Sequence, residues 1–520
     1  MAQQKSEDRD KPAGRRKPVV TRAVEKRAGG EAIPVDEVPE QLLLFADTAD
    51  APARAGGCRE AVRPVRTSAT PAAPKSADKD KQARATMMKD VTRRLEEAFD
   101  KVERNQGAPG PDRQTVAVMR KHIDTWMPLL HAALMDGSYT PGDIRRVWIP
   151  KVGGGQRGLG IPNVIDRVVQ EAVRLVLEPL YEPTFHESSH GFRPERSCHT
   201  AITEACRHVN EGYEWVVDLD LEKFFDRVNH QRLMSTLAQR IDDKPLLVLI
   251  GRMLKAKVVL PEGLVVPTEE GVPQGGPLSP LLSNIVLDEL DRELERRGHR
   301  FVRYADDCNI YVGSERAGER VMASIKQFIE RRLRLKVNEK KSAVARPEER
   351  HFLGFRLRSD PLDGTVQVML SKRSTKRFGE KLRELTPRNF GNSLDACIQT
   401  LNRYLRGWSG FFGICTNGAM SFKILDGHIR RRLRALQLRQ WKRKRTIVRR
   451  LISMGSRAQS AWRGIYSGRK SWWALSRSPL VERALRNSYW DARGLVSLVD
   501  LWTRKQQGII VPGQLTLVFG

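Results

Sequence analysis

The pattern of apolar and polar positions divides the chain into segments of different character. Residues 1–85 are dominated by Pro, Ala, Gly and charged residues, which predicts a basic, disordered tail. From residue 86 onward apolar residues return at helical spacing, first as Val91, Leu95, Phe99 and Val102. Ordered structure is therefore expected to begin at about residue 86.

The middle of the chain alternates between predicted strands and helices. RRVWIP predicts a strand, KVGGGQRGLGIP a glycine-rich loop, and DRVVQEAVRLVLEPLY a helix. WVVDLDLEKFF predicts a strand that runs into a turn, and FVRYADDCNIYV predicts a β-hairpin around an acidic turn. Between them, SPLLSNIVLDELDRELERRG predicts a helix with Ser279 as its N-cap. Strands mixed with helices in this order predict an α+β fold.

The last third of the chain is predicted to be helical and strongly basic. Residues 428–450 contain 11 Lys and Arg residues and no acid. Further along, Trp462, Trp472, Trp473 and Trp490 predict a small aromatic core in the segment 461–520.

Charge and cysteine content narrow the classes of function. The chain of 520 residues has 91 Lys and Arg against 62 Asp and Glu, a formal charge of +29. This excess favours a nucleic acid as partner over a membrane or a merely soluble basic protein. The six cysteines form no C-x-x-C pair, which argues against a zinc ribbon or a disulfide framework. With no secretory signal and no long apolar run, we expect a cytoplasmic protein.

Two short segments carry carboxylates in unusual positions. Asp218 and Asp220 are two residues apart in an otherwise apolar strand, which would place both on one face. Asp306 and Asp307 are adjacent in a predicted turn. Such a pair alone is commonly ordinary solvated turn chemistry. Together the acids predict a site for two Mg²⁺ ions, because carboxylates suit this hard cation and like charges need a cation between them.

Eight sequence blocks in a fixed order resemble the reverse transcriptases encoded by bacterial group II introns. The blocks are NQGAPGPD, IPKVGGGQRGLGIPNVIDRVVQEAV, SSHGFRPERSCHTAI, DLDLEKFFDRVNH, GVPQGGPLSPLLSNIVLDELD, RYADD, LKVNEKKS and HFLGF. The resemblance implies a right-hand polymerase, with fingers and an antiparallel palm sheet over residues 86–360. It further implies a helical thumb and maturase domain X over residues 361–460. The basic, aromatic extension 461–520 would be part of domain X or a DNA-binding segment.

The resemblance also assigns roles to residues of the palm. Asp220, Asp306 and Asp307 become the catalytic acids that bind two Mg²⁺, and Asp218 becomes a structural residue beside them. Phe225 matches the steric gate that excludes a ribose 2′-hydroxyl, with a core phenylalanine as the open alternative, and Phe224 beside it is expected to lie in the core. Lys341 matches the lysine that protonates pyrophosphate, although a solvated surface lysine is an open alternative.

Further matches concern the incoming nucleotide. Lys151 and Arg157 match the cations that hold its triphosphate, and Gln274 matches the contact to nucleotide and template. The glycines Gly275 and Gly276 would allow a close backbone approach. Here the family's Arg-Pro-Leu-Gly is replaced by Arg-Gly-Leu-Gly, and the missing proline predicts a looser loop.

The basic C-terminal region is expected to bind RNA. The candidates are Arg430, Arg431, Arg432, Arg434, Arg439, Lys442, Arg443, Lys444 and Arg445. The implied partners are intron RNA as template, a DNA primer or target, and dNTPs, in a bacterial cytoplasm at the nucleoid. Whether the protein is a monomer or a dimer is left open. A splicing-only maturase and a domesticated relative in a defence system are the alternative functions.

Overall fold

The computed structural model describes residues 88–150, 155–387, 391, 393–416, 418–467 and 471–508. The predicted tail of residues 1–85 and the candidate Lys151 lie outside these ranges. The strands are β1 (Ile144–Pro150), β2 (Gln156–Ile161), β3 (Trp215–Leu219), β4 (Val258–Val259), β5 (Val265–Val266), β6 (Arg300–Tyr304), β7 (Asp307–Val312), β8 (Ala343–Ala345), β9 (Phe355–Ser359) and β10 (Val366–Leu370).

Helices connect and cover these strands. The N-terminal and central helices are α1 (Met88–Arg93), α2 (Leu95–Arg104), α3 (Val116–Lys121), α4 (Ile123–Met135), α5 (Val164–Tyr181), α6 (Cys198–Asn210), α7 (Phe224–Arg227), α8 (His230–Ala238), α9 (Lys244–Leu254), α10 (Ser279–Arg296) and α11 (Glu315–Phe328). The C-terminal helices are α12 (Lys372–Leu385), α13 (Leu394–Phe412), α14 (Gly418–Gln440), α15 (Lys444–Ser453), α16 (Ala458–Tyr466), α17 (Trp472–Leu475), α18 (Pro479–Ala484), α19 (Asn487–Asp491) and α20 (Leu498–Gln506).

The N-terminal sheet has the strand order β2-β1-β4-β5. β1 and β2 form an antiparallel hairpin in which Arg145 pairs with Ile161 and Pro150 pairs with Gln156. The prediction of a loop for the whole glycine-rich segment was therefore wrong for residues 156–161. Their backbone groups pair along β1, and a strand tolerates glycine where a neighbouring chain approaches closely.

A second sheet, with the order β6-β7-β3-β8, has antiparallel pairing throughout. α6, α10 and α11 pack against it, and its inward residues join the main hydrophobic core, including Val217, Leu219, Phe301 and Ile310. The predicted α+β fold with an antiparallel palm sheet is confirmed. The acidic turn lies where the sequence placed it, between β6 and β7.

The start of α10 differs from the prediction in one detail. Leu278 occupies the N-cap position and Ser279 already lies inside the helix. The Ser279 hydroxyl instead donates a hydrogen bond of 2.6 Å to the carbonyl of Pro273. Ser279 therefore fastens the preceding loop to the helix rather than capping it.

The C-terminal helices pack around an aromatic cluster. Trp408 lies 4.6 Å from Phe412 and 4.8 Å from Phe378, measured between ring centroids. Phe411 packs on Phe355 of β9. These aromatic residues of the thumb region thus serve packing between helices.

The predicted aromatic core of the last segment was correct for one residue. Trp490 is fully buried, whereas Trp472 and Trp473 are half-buried and Trp462 is 43% exposed. Trp462 lies on α16 outside the packed interior, because its helix buries only Ala461 and Ile465. These four tryptophans therefore do not form one shared core, although they are close in sequence.

Helix α20 docks on the preceding helices through the buried carboxylate of Asp426. Its oxygens accept hydrogen bonds from the Ser497 hydroxyl (2.8 Å), the Leu498 N–H (3.0 Å) and the Val499 N–H (3.3 Å). A carboxylate of α14 thereby satisfies the N-terminus of α20. The Trp502 indole donates to the Cys415 carbonyl at 2.8 Å, so α20 belongs to the helical region.

Asp426→Ala is expected to lower the free energy of undocking α20 by about 1–3 kcal/mol, because buried donors lose their acceptor. Hydrogen exchange of the α20 amides measures this directly. Asp426→Asn, which keeps one acceptor oxygen, should lose less. Unchanged exchange in the alanine variant would show that the carboxylate does not hold the helix.

Candidate active site

The palm sheet brings the three predicted metal ligands to one edge. Asp220 directly follows β3, Asp306 lies in the turn between β6 and β7, and Asp307 begins β7. β3 and β7 are antiparallel neighbours, and Leu219 pairs with Cys308 at the end of their ladder. One further step along each chain brings Asp220 beside Asp307.

The clustered carboxylates influence one another's ionisation. Burial raises the pKa of Asp307 to about 8. The negative charges of Asp306, Asp218 and Asp220 act in the same direction. Asp307 is nevertheless exposed to solvent at the start of β7. Burial also raises the pKa of Asp306. The site therefore holds more negative charge than nearby protein cations neutralise.

Two of the predicted cationic residues lie beside these acids. Against the larger effect of burial, the charges of Arg157 and Lys341 act to lower the pKa of Asp306. The Lys341 Nζ is 3.4 Å from Asp220 Oδ2, and the Lys341 side chain is 67% exposed. Lys341 thus reaches the acids from the solvent side of the cleft.

The backbone of Asp220 is held by the segment that contains Lys341. The Asp220 N–H donates to the Ser342 hydroxyl at 3.0 Å, and the Asn338 N–H donates to the Asp220 carbonyl at 2.8 Å. Sequence reasoning missed Ser342 and Asn338 as positioning residues. The available signal was their presence in the block LKVNEKKS.

Asp218 has a protein partner of its own. Arg350 Nε and Nη2 both donate to Asp218 Oδ2, at 2.8 and 2.5 Å. Arg350 Nη2 also donates to the Lys341 carbonyl at 2.8 Å. Burial raises the pKa of Asp218, and the Arg350 charge opposes that rise. Asp218 is therefore engaged by an arginine, whereas Asp220, which follows the strand, lies beside Lys341 and the other acids.

A buried ion pair lies directly behind the acidic turn. Arg303 and Asp291 are both fully buried and bond through two contacts, at 2.7 and 2.5 Å. Arg303 also donates to the Asn284 side chain at 3.0 Å and to the Ser189 hydroxyl at 2.7 Å. A further bond of 2.9 Å reaches the carbonyl of Ala305, the residue before Asp306. Sequence reasoning did not single out Arg303 or Asp291.

The same turn is packed tightly by a glycine. Ala305 has a φ of 55°, in the left-handed region. A Cβ on Gly191 would lie 2.2 Å from the Ala305 nitrogen. The Asn284 side-chain amide donates to the Gly191 carbonyl at 2.8 Å, which holds Gly191 in place against the turn. The orientation of Asp306 is therefore fixed by residues from three separate segments.

The loop that carries Gln274 packs against the fingers strand β2. The Gly160 N–H donates to the Gln274 carbonyl at 2.6 Å. Gly275 has a φ of +115°, and a Cβ there would lie 2.5 Å from the Gly160 carbonyl oxygen. A Cβ on Gly276 would lie 2.3 Å from Gln170 Oε1. The close approach predicted for these glycines is thus made to the protein itself, and the Gln274 side chain remains half-buried beside it.

Gly158 shows how the chain accommodates the absent proline. It pairs with Trp148 in the regular β1–β2 ladder. A Cβ at this position would lie 2.5 Å from Arg146 Nη1 and 3.1 Å from the Trp148 ring. The expectation of a looser loop was wrong, since Arg157 and Gly158 lie in a paired strand.

Phe225 lies beside the loop that leads to Gln274. Its ring is half-buried and contacts Phe224 edge-on at 5.2 Å. Its carbonyl accepts a hydrogen bond of 2.6 Å from the Val272 N–H. Phe224 is buried in the core. Phe224 is therefore a core residue, whereas the ring of Phe225 is partly accessible to solvent.

The candidate RNA-binding cations differ in their surroundings. Arg432 donates to Thr386, and Arg434 donates to the Ser476 carbonyl, so both are held by protein groups. The Arg431 guanidinium lies 3.9 Å from the Trp473 ring centroid. The exposed members are Arg439, Lys442, Arg443 and Arg445. Arg430 is half-buried on α14, and Lys444 lies over the ring of Tyr466.

The acidic edge suits a divalent cation by its chemistry. Its donors are carboxylate oxygens, which Mg²⁺ prefers, and their mutual repulsion is incompletely offset. Within the described residues, no three His, Cys, Asp or Glu side chains are already arranged to hold a metal ion. Ligand geometry at Asp220, Asp306 and Asp307 would therefore have to be completed on binding.

Comparison with known proteins decides the family. Residues 149–357 match the family described as reverse transcriptase (RNA-dependent DNA polymerase), and residues 375–452 match the group II intron maturase-specific domain. Protein YkfC of Escherichia coli (strain K12) is 33% identical over 334 residues, covering 56% of this chain and 84% of YkfC. The chain belongs to the group II intron reverse transcriptase and maturase family.

Other members of this reverse transcriptase family match over shorter shares of their length. The group II intron-encoded protein LtrA of Lactococcus lactis subsp. cremoris is 33% identical over 292 residues, 44% of this chain and 48% of LtrA. The putative COX1/OXI3 intron 2 protein of Saccharomyces cerevisiae is 29% identical over 344 residues, 55% of this chain and 40% of that protein. The chain thus spans half or less of these two relatives.

A solved structure titled as a partial Cas6-RT-Cas1–Cas2 complex aligns with 47% of this reverse transcriptase and 42% of the matched chain. Its TM-score is 0.32 at 24% identity. This score does not discriminate between functions. Across the described ranges, no helix combines the length and the apolar composition needed to span a bilayer.

Proposed function

We propose that this protein extends a DNA primer on an intron RNA template and helps the same RNA to splice. The observation that carries the proposal is the meeting of Asp220, Asp306 and Asp307 at one edge of a reverse transcriptase palm. Two Mg²⁺ ions bound there would lower the pKa of the primer 3′-hydroxyl and neutralise the pyrophosphate. The family match supports a divalent metal in general terms, and the number and identity of the ions are part of the proposal.

The residues around the acids support the handling of an incoming dNTP. Arg157, on a strand paired with β1 and near Asp306, would bind triphosphate oxygens, and Lys151, which follows Pro150 in the sequence, would assist it. Gln274 would contact nucleotide and template from a loop fixed to β2. Lys341, exposed and 3.4 Å from Asp220, would donate a proton to the leaving pyrophosphate.

Primer extension on an RNA template tests the polymerase proposal. We expect Mg²⁺-dependent incorporation of dNTPs by the wild type, and the absence of incorporation under all divalent metals would refute it. Splicing of the intron RNA in the presence of an Asp306→Ala/Asp307→Ala variant tests the second activity. Retained splicing would show that RNA folding is separable from polymerisation.

A splicing-only maturase is less well supported than an active polymerase. Such a protein would not need the acids, Arg157 or Gln274, yet all are present, and the backbones of Asp220 and Gln274 are hydrogen-bonded to neighbouring segments. The proposed partners are therefore intron RNA, a DNA primer or target, and dNTPs. The proposed place of action is the bacterial cytoplasm at the nucleoid.

Phe225→Val is expected to relax discrimination against ribonucleotides by roughly 10- to 100-fold, because the smaller side chain leaves room for a 2′-hydroxyl. The ratio of kcat/KM for dNTP and rNTP measures this. Phe225→Tyr retains the ring and serves as the matched control. An unchanged ratio in the valine variant would remove Phe225 from the role of steric gate.

A further inference from the structure

A concave cavity lies where the last helices meet α14. Its volume is about 730 Å³. The lining residues are Gly427, Arg430, Arg434, Glu482, Arg486, Asn487 and Ser488. One wall thus belongs to the helix matched by the maturase-specific domain, and the other belongs to residues 482–488, beyond that match.

The floor of this cavity is a buried, fixed arginine. Arg434 is 8% exposed. It donates to the Ser476 carbonyl at 2.8 Å and to the Glu482 carboxylate at 2.8 Å. Its position is therefore set by protein groups, and Glu482 is already engaged by it.

The walls add positive charge without matching acids. In the described part of the chain, no ion pair joins Arg430 or Arg486 to an acidic side chain. The sequence contains no Asp or Glu between Asp426 and Glu482. The oxygens of Asp426 are occupied by the N-terminus of α20. The lining of the cavity thus carries three arginines against one acid, Glu482, which is paired with Arg434, while the charge of Asp426 on α14 also acts on Arg430.

We propose that this cavity, the Arg430–Arg486 pocket, binds a backbone phosphate of the intron RNA. Guanidinium groups bind phosphate oxygens in paired hydrogen bonds, and two unpaired ones face a single cavity. The pocket is open to solvent, as a phosphate within a continuous polymer requires. This inference rests on the proposed function, since it assumes that the helical region holds RNA.

The salt dependence of RNA binding tests the pocket. Each phosphate contact on single-stranded nucleic acid contributes about 0.7 to the slope of log Kd against log salt concentration. The variant Arg430→Gln/Arg486→Gln of the full chain is expected to reduce that slope by about 0.7, with roughly tenfold weaker binding at low salt. Arg483→Gln, exposed on α18 and outside the pocket, is the matched control for lost charge.

Four results would overturn the inference. The first is a slope equal to that of the wild type, and the second is an equal reduction in the Arg483→Gln control. The third is a reduced slope for DNA alone, which would assign the pocket to the DNA target. Inorganic phosphate should compete only at concentrations far above those of RNA; stabilisation by micromolar phosphate would identify a free-anion site instead.

Failure of the polymerase proposal would be seen separately. The polymerase is tested with the wild type alone, by extension of a short primer on a homopolymer RNA template, so this result does not depend on the pocket variant. A wild type that extends no primer refutes the polymerase, while the RNA-binding slope still decides the pocket.

Discussion

Replacing Asp306 and Asp307 together with asparagine is expected to reduce RNA-templated primer extension by at least about 10³-fold. The metals supply several kcal/mol of charge stabilisation in the transition state, and each 1.36 kcal/mol corresponds to a tenfold rate. Asparagine keeps the shape of each side chain and accepts hydrogen bonds, but it is a poor ligand for Mg²⁺. Primer extension at saturating Mg²⁺ measures the loss.

The same variant should fold at least as well as the wild type. Burial and neighbouring charge raise the pKa of Asp307 to about 8, so at neutral pH the metal-free fold binds a proton there that the unfolded chain does not, which lowers its stability. Replacing this carboxyl group with an amide should leave the melting temperature in EDTA equal or higher. Asp242→Asn, at an exposed acid away from the site, is the control. Activity within tenfold of the wild type would exclude these acids as the metal ligands.

Removing one partner of the buried Arg303–Asp291 pair is expected to cost about 3–5 kcal/mol of stability. Arg303→Met leaves Asp291 as an uncompensated charge in a fully buried position. It also removes the donors to Ala305, Asn284 and Ser189 that hold the acidic turn. Both the unfolding midpoint and primer extension should therefore fall.

A second variant separates stability from positioning. Arg303→Met/Asp291→Leu replaces both charges by apolar groups of similar size, which is commonly near neutral for stability. We expect the melting temperature to recover most of its loss while primer extension stays low, because Ala305 still lacks its donor. Full recovery of primer extension in the double variant would show that the Arg303–Asp291 pair stabilises the fold but does not position the acidic turn.

The strands and the acidic turn of the palm could be predicted from the sequence, because the local apolar pattern there favours the same elements that the tertiary fold contains. Alternating apolar residues around Asp218 and in FVRYADDCNIYV set both strands and the turn, and pairing of β3 with β7 then brings the acids together. Helical periodicity likewise predicted α5 and α10.

Other features depend on contacts between distant segments and could not be predicted from local pattern. Arg350 meets Asp218 from 132 positions away, and nothing in the sequence near either residue indicates the pairing. β2 contains two glycines that favour a loop, yet pairing with β1 and contact with the Gln274 loop make it a strand. The sequence around Trp490 and Trp462 gives no sign of which tryptophan is buried, yet Trp490 is fully buried and Trp462 is exposed.

The most direct test of the metal site is anomalous diffraction from a complex with RNA template, chain-terminated DNA primer, dNTP and Mn²⁺. The account predicts two Mn²⁺ ions about 3.5–4 Å apart, bound by carboxylates of Asp220 and the 306–307 turn. A complex that holds nucleotide and primer in line while those carboxylates bind no metal would contradict it.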